Sequence, residues 1–408
     1  MNFGAGCNVF RCDTKTNGSP VRDPHWLRHF SGEERNLDSL STSAKKGIFI
    51  VDDAIVVRKA LMDGLSRDSQ LEVLGTASNG RLALAKLQTI HPDVILLDIE
   101  MPEMNGLEAI PEIRKILPLV PIIMFSTLTE RGAEATLDAL TLGATDYVTK
   151  PSNMDMEATA LSISQELIPK IKALCRLPSV PPFSGTETAK PTTAIPKPQL
   201  HTRPSSSRIC RIGIVAIGVS TGGPDALAHL LPAFPARFPL PIVVAQHMPA
   251  IFTALLAKRL ATRCSIPVRE CQPGDLLEPS CIWIAPGDFH MIVQEDGGRV
   301  RLMTHQGPRE NFCRPSVDVL FRSVADVFGS HALGVILTGM GQDGSKGCEA
   351  LSARGANIVV QDEATSVVWG MPGFVARAGL AEKILPLDRL GGEIIRRVAA
   401  QSLVELTS

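Results

Sequence analysis

Excess charge of either sign is missing from this chain: 41 Lys and Arg stand against 42 Asp and Glu, a formal net charge of −1. That excludes a bulk electrostatic attraction to nucleic acid or to anionic lipid. Long hydrophobic runs are missing too. No stretch approaches the roughly 18 uninterrupted apolar residues of a bilayer span, so no membrane insertion is expected. The opening residues, MNFGAGCNVFRCDTK, lack an apolar secretion segment, and a cytoplasmic location is the expectation. Nine cysteines are present, at 7, 12, 175, 210, 264, 271, 281, 313 and 348, but none forms a CxxC pair. Their odd number argues against a complete disulfide framework, zinc is not expected, and reduced thiols are. Cys210, Cys281 and Cys348 adjoin or sit in apolar segments and read as core filler. Two nucleotide signatures are also absent from the glycine-rich stretch GVSTGGP, the G-x-G-x-x-G run and the P-loop lysine.

What is present is an α/β rhythm, played twice over 408 residues of which 44% are apolar. Residues 1–45 show no clear period and read as a poorly ordered extension. From Lys46, short apolar strands (GIFIV, LEVLGTA, PDVILLD, PIIMFS, DYVTKP) alternate with helical patterns. Such alternation predicts a parallel sheet covered on both faces, here five-stranded and flavodoxin-like over 46–166. Residues 154–174 form a candidate last helix, with Pro169 bending or ending it. The segment 167–208 then runs from a helix end into a linker rich in Pro, Ser and Thr. A second alternation (IGIVAIG, PIVVAQ, CIWIAP, ALGVILT, ANIVVQ) predicts a doubly wound α/β domain over 209–400.

Ligands of an open parallel sheet bind beyond the carboxyl ends of its strands. In the first half those ends carry Asp52 and Asp53, then Asp98, Ser126 and Lys150. Three carboxylates at one rim repel unless a cation joins them, and hard oxygen ligands suit Mg²⁺. Singly, each acid could be a helix cap or a turn residue; all together fit that reading poorly. The segments VDD, LLDIEMPEMNG, FST and TKP, in this order, resemble the response-regulator receiver domain. The resemblance implies a phosphoacceptor at Asp98, Asp53 as a direct Mg²⁺ ligand and Asp52 in its outer sphere. It also implies a switch hydroxyl at Ser126, a rotating aromatic at Tyr147 and a phosphate partner at Lys150.

In the second half, IVAIGVSTGGP sets Ser220 among glycines. The loop could be a tight turn, a phosphate cradle or a nucleophile's seat, with Gly218 and Gly222 allowing a sharp bend. A serine nucleophile needs a base. His247 ends the next strand, and Asp343 follows a later one, amid Gly339, Gly341 and Gly344. Asp288 and His290 follow CIWIAP as rivals, and position alone leaves both histidines open. His229, well along the helix after Ser220, is too distant to serve it.

The segments AIGVSTGGPDAL, VVAQHMP, WIAPGDFHM, RPSVDVLF, GVILTGMGQDG and WGMPG resemble the catalytic domain of the chemotaxis protein-glutamate methylesterases, the CheB family. The resemblance implies Ser220 as nucleophile, His247 as base and Asp343 as orienting acid, with Thr221 and the Met340 backbone lining the site. His290 and Asp288 would belong to a neighbouring motif. It further implies a phosphorylation-activated esterase that hydrolyses glutamyl methyl esters, and deamidates glutamine, on chemoreceptor cytoplasmic domains. A chemotaxis histidine kinase would be the phosphodonor, and the esterase itself would need no cofactor. Two other readings compete: a non-catalytic docking domain, and a nucleotide-binding loop.

Overall fold

The first-half strands are short and apolar, and helices between them return the chain to the same end of the sheet. The strands are β1 (Lys46–Val51), β2 (Leu71–Ala77), β3 (Val94–Asp98), β4 (Ile122–Thr127) and β5 (Asp146–Lys150). Strand β3 is buried throughout, and the edge strand β2 is partly exposed. The helices between them are α1 (Ile55–Leu65), α2 (Gly80–Lys86), α3 (Gly106–Ile116) and α4 (Glu130–Leu142). All strand pairs are parallel, in the order β2-β1-β3-β4-β5. Helix starts are set by local chemistry: Asn79 caps α2, Thr129 caps α4, and Asn105 with Glu108 forms a reciprocal capping box on α3.

This computed structural model describes residues 45–150, 160–177 and 211–405, with side chains to 400. The expected N-terminal extension, save its last residue, and the linker from 178 onward lie outside the described residues. Pro169 does not end its helix. A π-helical turn, Ile163–Leu167, precedes it, and α5 (Ile168–Leu174) continues beyond. The widened turn takes up the lost N–H and the ring's bulk.

The second half builds a seven-stranded sheet, all parallel, in the order β14-β13-β12-β6-β7-β9-β8. In chain order these are β6 (Ile214–Val219), α6 (Gly223–Leu230), β7 (Ile242–Gln246), α7 (Ala250–Ala261), β8 (Val268–Glu270) and β9 (Ile282–Ile284). A hairpin follows, β10 (His290–Asp296) against β11 (Arg299–His305), and then α8 (Val317–Phe328). The chain closes with β12 (Ala332–Ile336), α9 (Ser345–Ala353), β13 (Asn357–Gln361), α10 (Met371–Arg377), β14 (Lys383–Leu385) and α11 (Leu387–Glu405). From β6 the chain winds outward through β7 to β9 and β8, then crosses back to β12 on the other side. The switch in strand order therefore falls between β6 and β12, where such sheets open a crevice beyond their carboxyl ends.

The hairpin was not expected, although QEDGGRV carries its signal. Gly297 and Gly298 have φ of 58° and 78°, the double positive φ that a two-residue turn demands.

The two sheets share one apolar cluster, in which Leu137, Leu140 and Tyr147 join Phe252, Leu256 and Leu260. Helix α4 packs against α6 and α7. Tyr147 stacks on Phe252, ring centres 4.5 Å apart and 11° from parallel, and Arg259 pairs with Asp138 at 2.8 Å.

Candidate active site and phosphoacceptor pocket

At the carboxyl end of the five-stranded sheet, Asp98 ends β3 and Lys150 ends β5. Lys150 Nζ lies 2.8 Å from Asp98 and 2.9 Å from Asp52. Asp98 also accepts the Ile99 N–H at 2.8 Å. Burial raises its carboxyl to about 6, against the opposing pull of Lys150. Lys150 is raised as well: burial works against its charge, and Asp98 and Asp52 outweigh it. Asp53 is exposed, whereas Asp52 is buried and accepts the Ala54 N–H at 2.9 Å. Ligand oxygens of Asp52, Asp53 and Asp98 lie within 4.8 Å of one another, a hard donor set that fits Mg²⁺. Ser126 Oγ is buried 2.8 Å from Thr136 Oγ1 on α4 and donates to the Gly132 carbonyl at 3.2 Å. Tyr147 is buried in the contact with α7.

At the crevice of the larger sheet, Ser220 directly follows β6. Gly222, with φ of 77°, turns the chain into α6. Gly218 has a different task from the bend expected of it. It lies inside β6, and a Cβ there would drive into the Val317 side chain. Gly339 brings the next loop against the serine, since a Cβ on it would fall 2.8 Å from Ser220 Cβ. His247 follows β7, and Gln246 ties it to the serine loop by donating to the Ser220 carbonyl at 3.0 Å and the His247 carbonyl at 3.3 Å. Thr221 is buried, its carbonyl accepting from Thr338 Oγ1 at 2.9 Å, and Met340 is half-buried.

Asp343 is the best-anchored group of the site. Oδ2 lies 2.7 Å from His247 Nε2 and accepts the Val317 N–H at 2.7 Å. Oδ1 accepts from Ser316 Oγ at 2.8 Å, Asn311 Nδ2 at 2.9 Å and the Asp318 N–H at 3.2 Å. Burial alone would raise Asp343, but His247 and these donors hold it well below the usual carboxylate range. A carboxylate only accepts, so in the neutral imidazole Nε2 carries the proton and Nδ1 keeps the lone pair. Burial also opposes charge on His247, yet Cys313 and Asp343 prevail and raise it above an ordinary histidine. Cys313 Sγ is 3.4 Å from that Nδ1.

The rival histidine is committed elsewhere. His290 is buried, its Nδ1 accepting the Ser316 N–H at 3.2 Å and its Nε2 lying 2.9 Å from the Pro308 carbonyl. Burial lowers its pKa, so it stays neutral and supports the 316 loop. Asp288 pairs with Arg314 at 2.7 Å, and His229 is exposed on α6. Sequence reasoning missed Gln246, Asn311, Cys313, Ser316 and Asp318. Two of them lie inside RPSVDVLF, and Asn311 stands at a positive φ of 50°, which hints at a built loop but not at its target.

A receiver-type sheet with an acid pocket, docked on an α/β domain with Ser, His and Asp loops at its switch point, defines a response regulator with an enzymatic output domain. Residues 48–161 match the response regulator receiver domain family, and residues 215–394 match the CheB methylesterase family. A protein-glutamate methylesterase/protein-glutamine glutaminase of Trichodesmium erythraeum is 50% identical over 86% of this chain and 98% of its own length. A protein of the same description from Nocardioides sp. is 48% identical over 87% of this chain and 96% of its own length. Among solved structures, the Thermotoga maritima CheB methylesterase catalytic domain is 39% identical, covering 46% of this chain and 99% of that one, with a TM-score of 0.45. The chain belongs to the CheB family of receiver-linked protein-glutamate methylesterases/protein-glutamine glutaminases.

Proposed function

We propose that residues 209–400 hydrolyse glutamyl methyl esters, and deamidate glutamine, on the cytoplasmic helices of chemoreceptors, and that residues 46–166 control this activity through phosphorylation by a chemotaxis histidine kinase in the cytoplasm. The supporting observation is the pair His247 Nε2 to Asp343 at 2.7 Å, held on a loop that Gln246 joins to Ser220. Because Asp343 occupies Nε2, His247 takes the Ser220 proton on Nδ1. Ser220 Oγ bonds to the ester carbon, and the same proton leaves with methanol, or with ammonia from an amide. Water then attacks the glutamyl-serine ester with His247 as base, and glutamate departs. Thr221 and the Met340 backbone border the oxyanion.

In the receiver, Asp98 is the phosphoacceptor. Asp53 and Asp98, with Asp52 behind, would hold Mg²⁺, which would supply charge neutralisation for the incoming phosphoryl group. Lys150 is placed to pair with the new phosphate, and Ser126 to donate to it. A Ser126 that turns to the phosphate leaves Thr136 and Gly132, and both lie on α4, the helix packed against α6 and α7. Those two helices begin just after the Ser220 and His247 loops, so the receiver presses on the elements that carry the chemistry.

Methanol release from methylated receptor tests the reading. Phosphodonor with Mg²⁺ should stimulate the full chain, and Ser220→Ala should abolish release under both conditions. Turnover by that variant at the wild-type rate would end the nucleophile assignment.

A further inference from the structure

We propose that Cys313 Sγ and His247 Nδ1 form a binding site for a soft divalent cation, Zn²⁺ foremost, whose occupation switches the esterase off reversibly. The inhibitory consequence rests on the function proposed above; the site itself does not.

The absence of CxxC spacing speaks only against zinc knuckles. Here the two donors are 66 residues apart in sequence and 3.4 Å apart in space. Zn–S bonds of about 2.3 Å and Zn–N bonds of about 2.1 Å put sulfur and nitrogen about 3.6 Å apart at the tetrahedral angle, and about 3.4 Å apart near 100°. One zinc ion therefore spans the gap with little movement of either side chain. The imidazole is already turned for the task. Its Nε2–H points at Asp343, and a carboxylate behind the distal nitrogen is the usual support of a zinc-bound histidine. Asp343 is not itself free to ligate, because its two oxygens already face five donors.

The thiol is held as firmly. Glu310 and Cys313 exchange backbone hydrogen bonds of 2.8 and 3.2 Å, closing a turn around Asn311 and Phe312, whose φ values are 50° and 64°. Cys313 and His247 are both partly open to solvent, so a cation can enter and water can complete its coordination. Binding forms one Zn–S and one Zn–N bond, and the thiol proton goes to solvent; no electrons are exchanged. The Nδ1 lone pair that must receive the Ser220 proton is then engaged, and the ester stays intact until the metal leaves.

The test uses the full-length wild-type chain and zinc ion alone. Alkylation of Cys313 by iodoacetamide, followed by peptide mass spectrometry, should slow roughly tenfold or more with Zn²⁺ and recover on chelation. Mg²⁺ at the same concentration should not protect. An unchanged Cys313 alkylation rate under saturating Zn²⁺ overturns the proposal. Cobalt(II) serves as a second probe: the full chain should show a thiolate-to-cobalt charge-transfer band that Cys313→Ser loses. A band that survives in Cys313→Ser puts the cation on another thiol and sinks the idea. Protection of Cys313 in a protein that releases no methanol would keep the site and discard the esterase reading instead.

Discussion

Replacing Asp343 by asparagine separates the electrostatic task of this carboxylate from its structural one. Five donors converge on it, and four of them respond differently to an amide. The Ser316 hydroxyl can rotate to accept, but Asn311 can flip its amide only by giving up the bond that its Nδ2 also donates to Asp318 Oδ2 at 2.9 Å. The N–H groups of Val317 and Asp318 are backbone and cannot adapt. The cheapest placement keeps the amide oxygen toward His247 and Val317 and turns its NH₂ toward the other side. The Asp318 N–H is then stranded and Asp318 Oδ2 loses its Asn311 donor, at a cost of about 1–3 kcal/mol each. For a domain of this size that is a melting-point drop of roughly 4–24 °C, with the fold retained at room temperature. Asp343→Ala strands the whole set and should unfold the loop. Activity behaves differently, because the negative charge that stabilises the imidazolium is gone in either amide orientation. Turnover should fall by about 10⁴-fold, as for the same change in other Ser-His-Asp enzymes. Methanol release and a circular-dichroism melt on one preparation decide the matter. A variant that melts within this window yet turns over at the wild-type rate would refute the orienting role of Asp343.

The remaining expectations concern proton, phosphate and interface. Catalysis needs neutral His247, whose pKa is raised first by Cys313, so kcat/KM should climb with pH along a limb lying above the ordinary imidazole value of 6.5. Cys313→Ala should move that limb to lower pH, and a limb that stays in place would contradict the contact. Asp98→Asn should take up no label from a phosphodonor with Mg²⁺; label persisting on another residue would undo the phosphoacceptor assignment. Arg259→Glu sets two acids face to face across the contact with Asp138. Losing an exposed pair is worth roughly 0.5–1 kcal/mol, so unphosphorylated activity should rise about two- to fivefold. An unchanged basal rate, with stimulation intact, would show that this contact does not restrain the enzyme.

Strand ends were the legible part of the sequence. A buried parallel strand must be an apolar run, and the first polar residue after it must emerge at one rim. That rule set Asp52, Asp53, Asp98, Ser126 and Lys150 at one rim and Ser220 and His247 at the other, whereas Asp343 stands well beyond the end of β12 at Ile336 and owes its assignment to the resemblance. It could not choose between His247 and His290, because both emerge near the rim. The choice lies in what the second ring nitrogen meets, a carbonyl at Pro308 for one and a carboxylate at Asp343 for the other. Pro308 and Asp343 stand in loops of their own, on different elements from the histidines they meet. Spacing in sequence records the period of a helix or strand and carries nothing about such encounters. The hairpin is a different case, since its Gly297-Gly298 pair is itself the local signal of a two-residue turn.

Docking between the halves was illegible for a further reason. The outward positions of α4 are no more apolar than an ordinary amphipathic helix requires, and its apolar residues have a sheet of their own to cover. Only in three dimensions does a second demand on Leu137, Leu140 and Tyr147 emerge, because they also meet Phe252, Leu256 and Leu260. A signal between phosphate and esterase can cross this face, where α4 meets α6 and α7. The face is apolar at its centre and reaches the first turns of α6 and α7, since Pro224 and Asp225 border it and Phe252 stacks on Tyr147. Control by this route therefore does not need a receiver loop in the crevice. It needs only that α4 hold the two helices in a setting from which the Ser220 and His247 loops, joined through Gln246, are released together when Ser126 turns away.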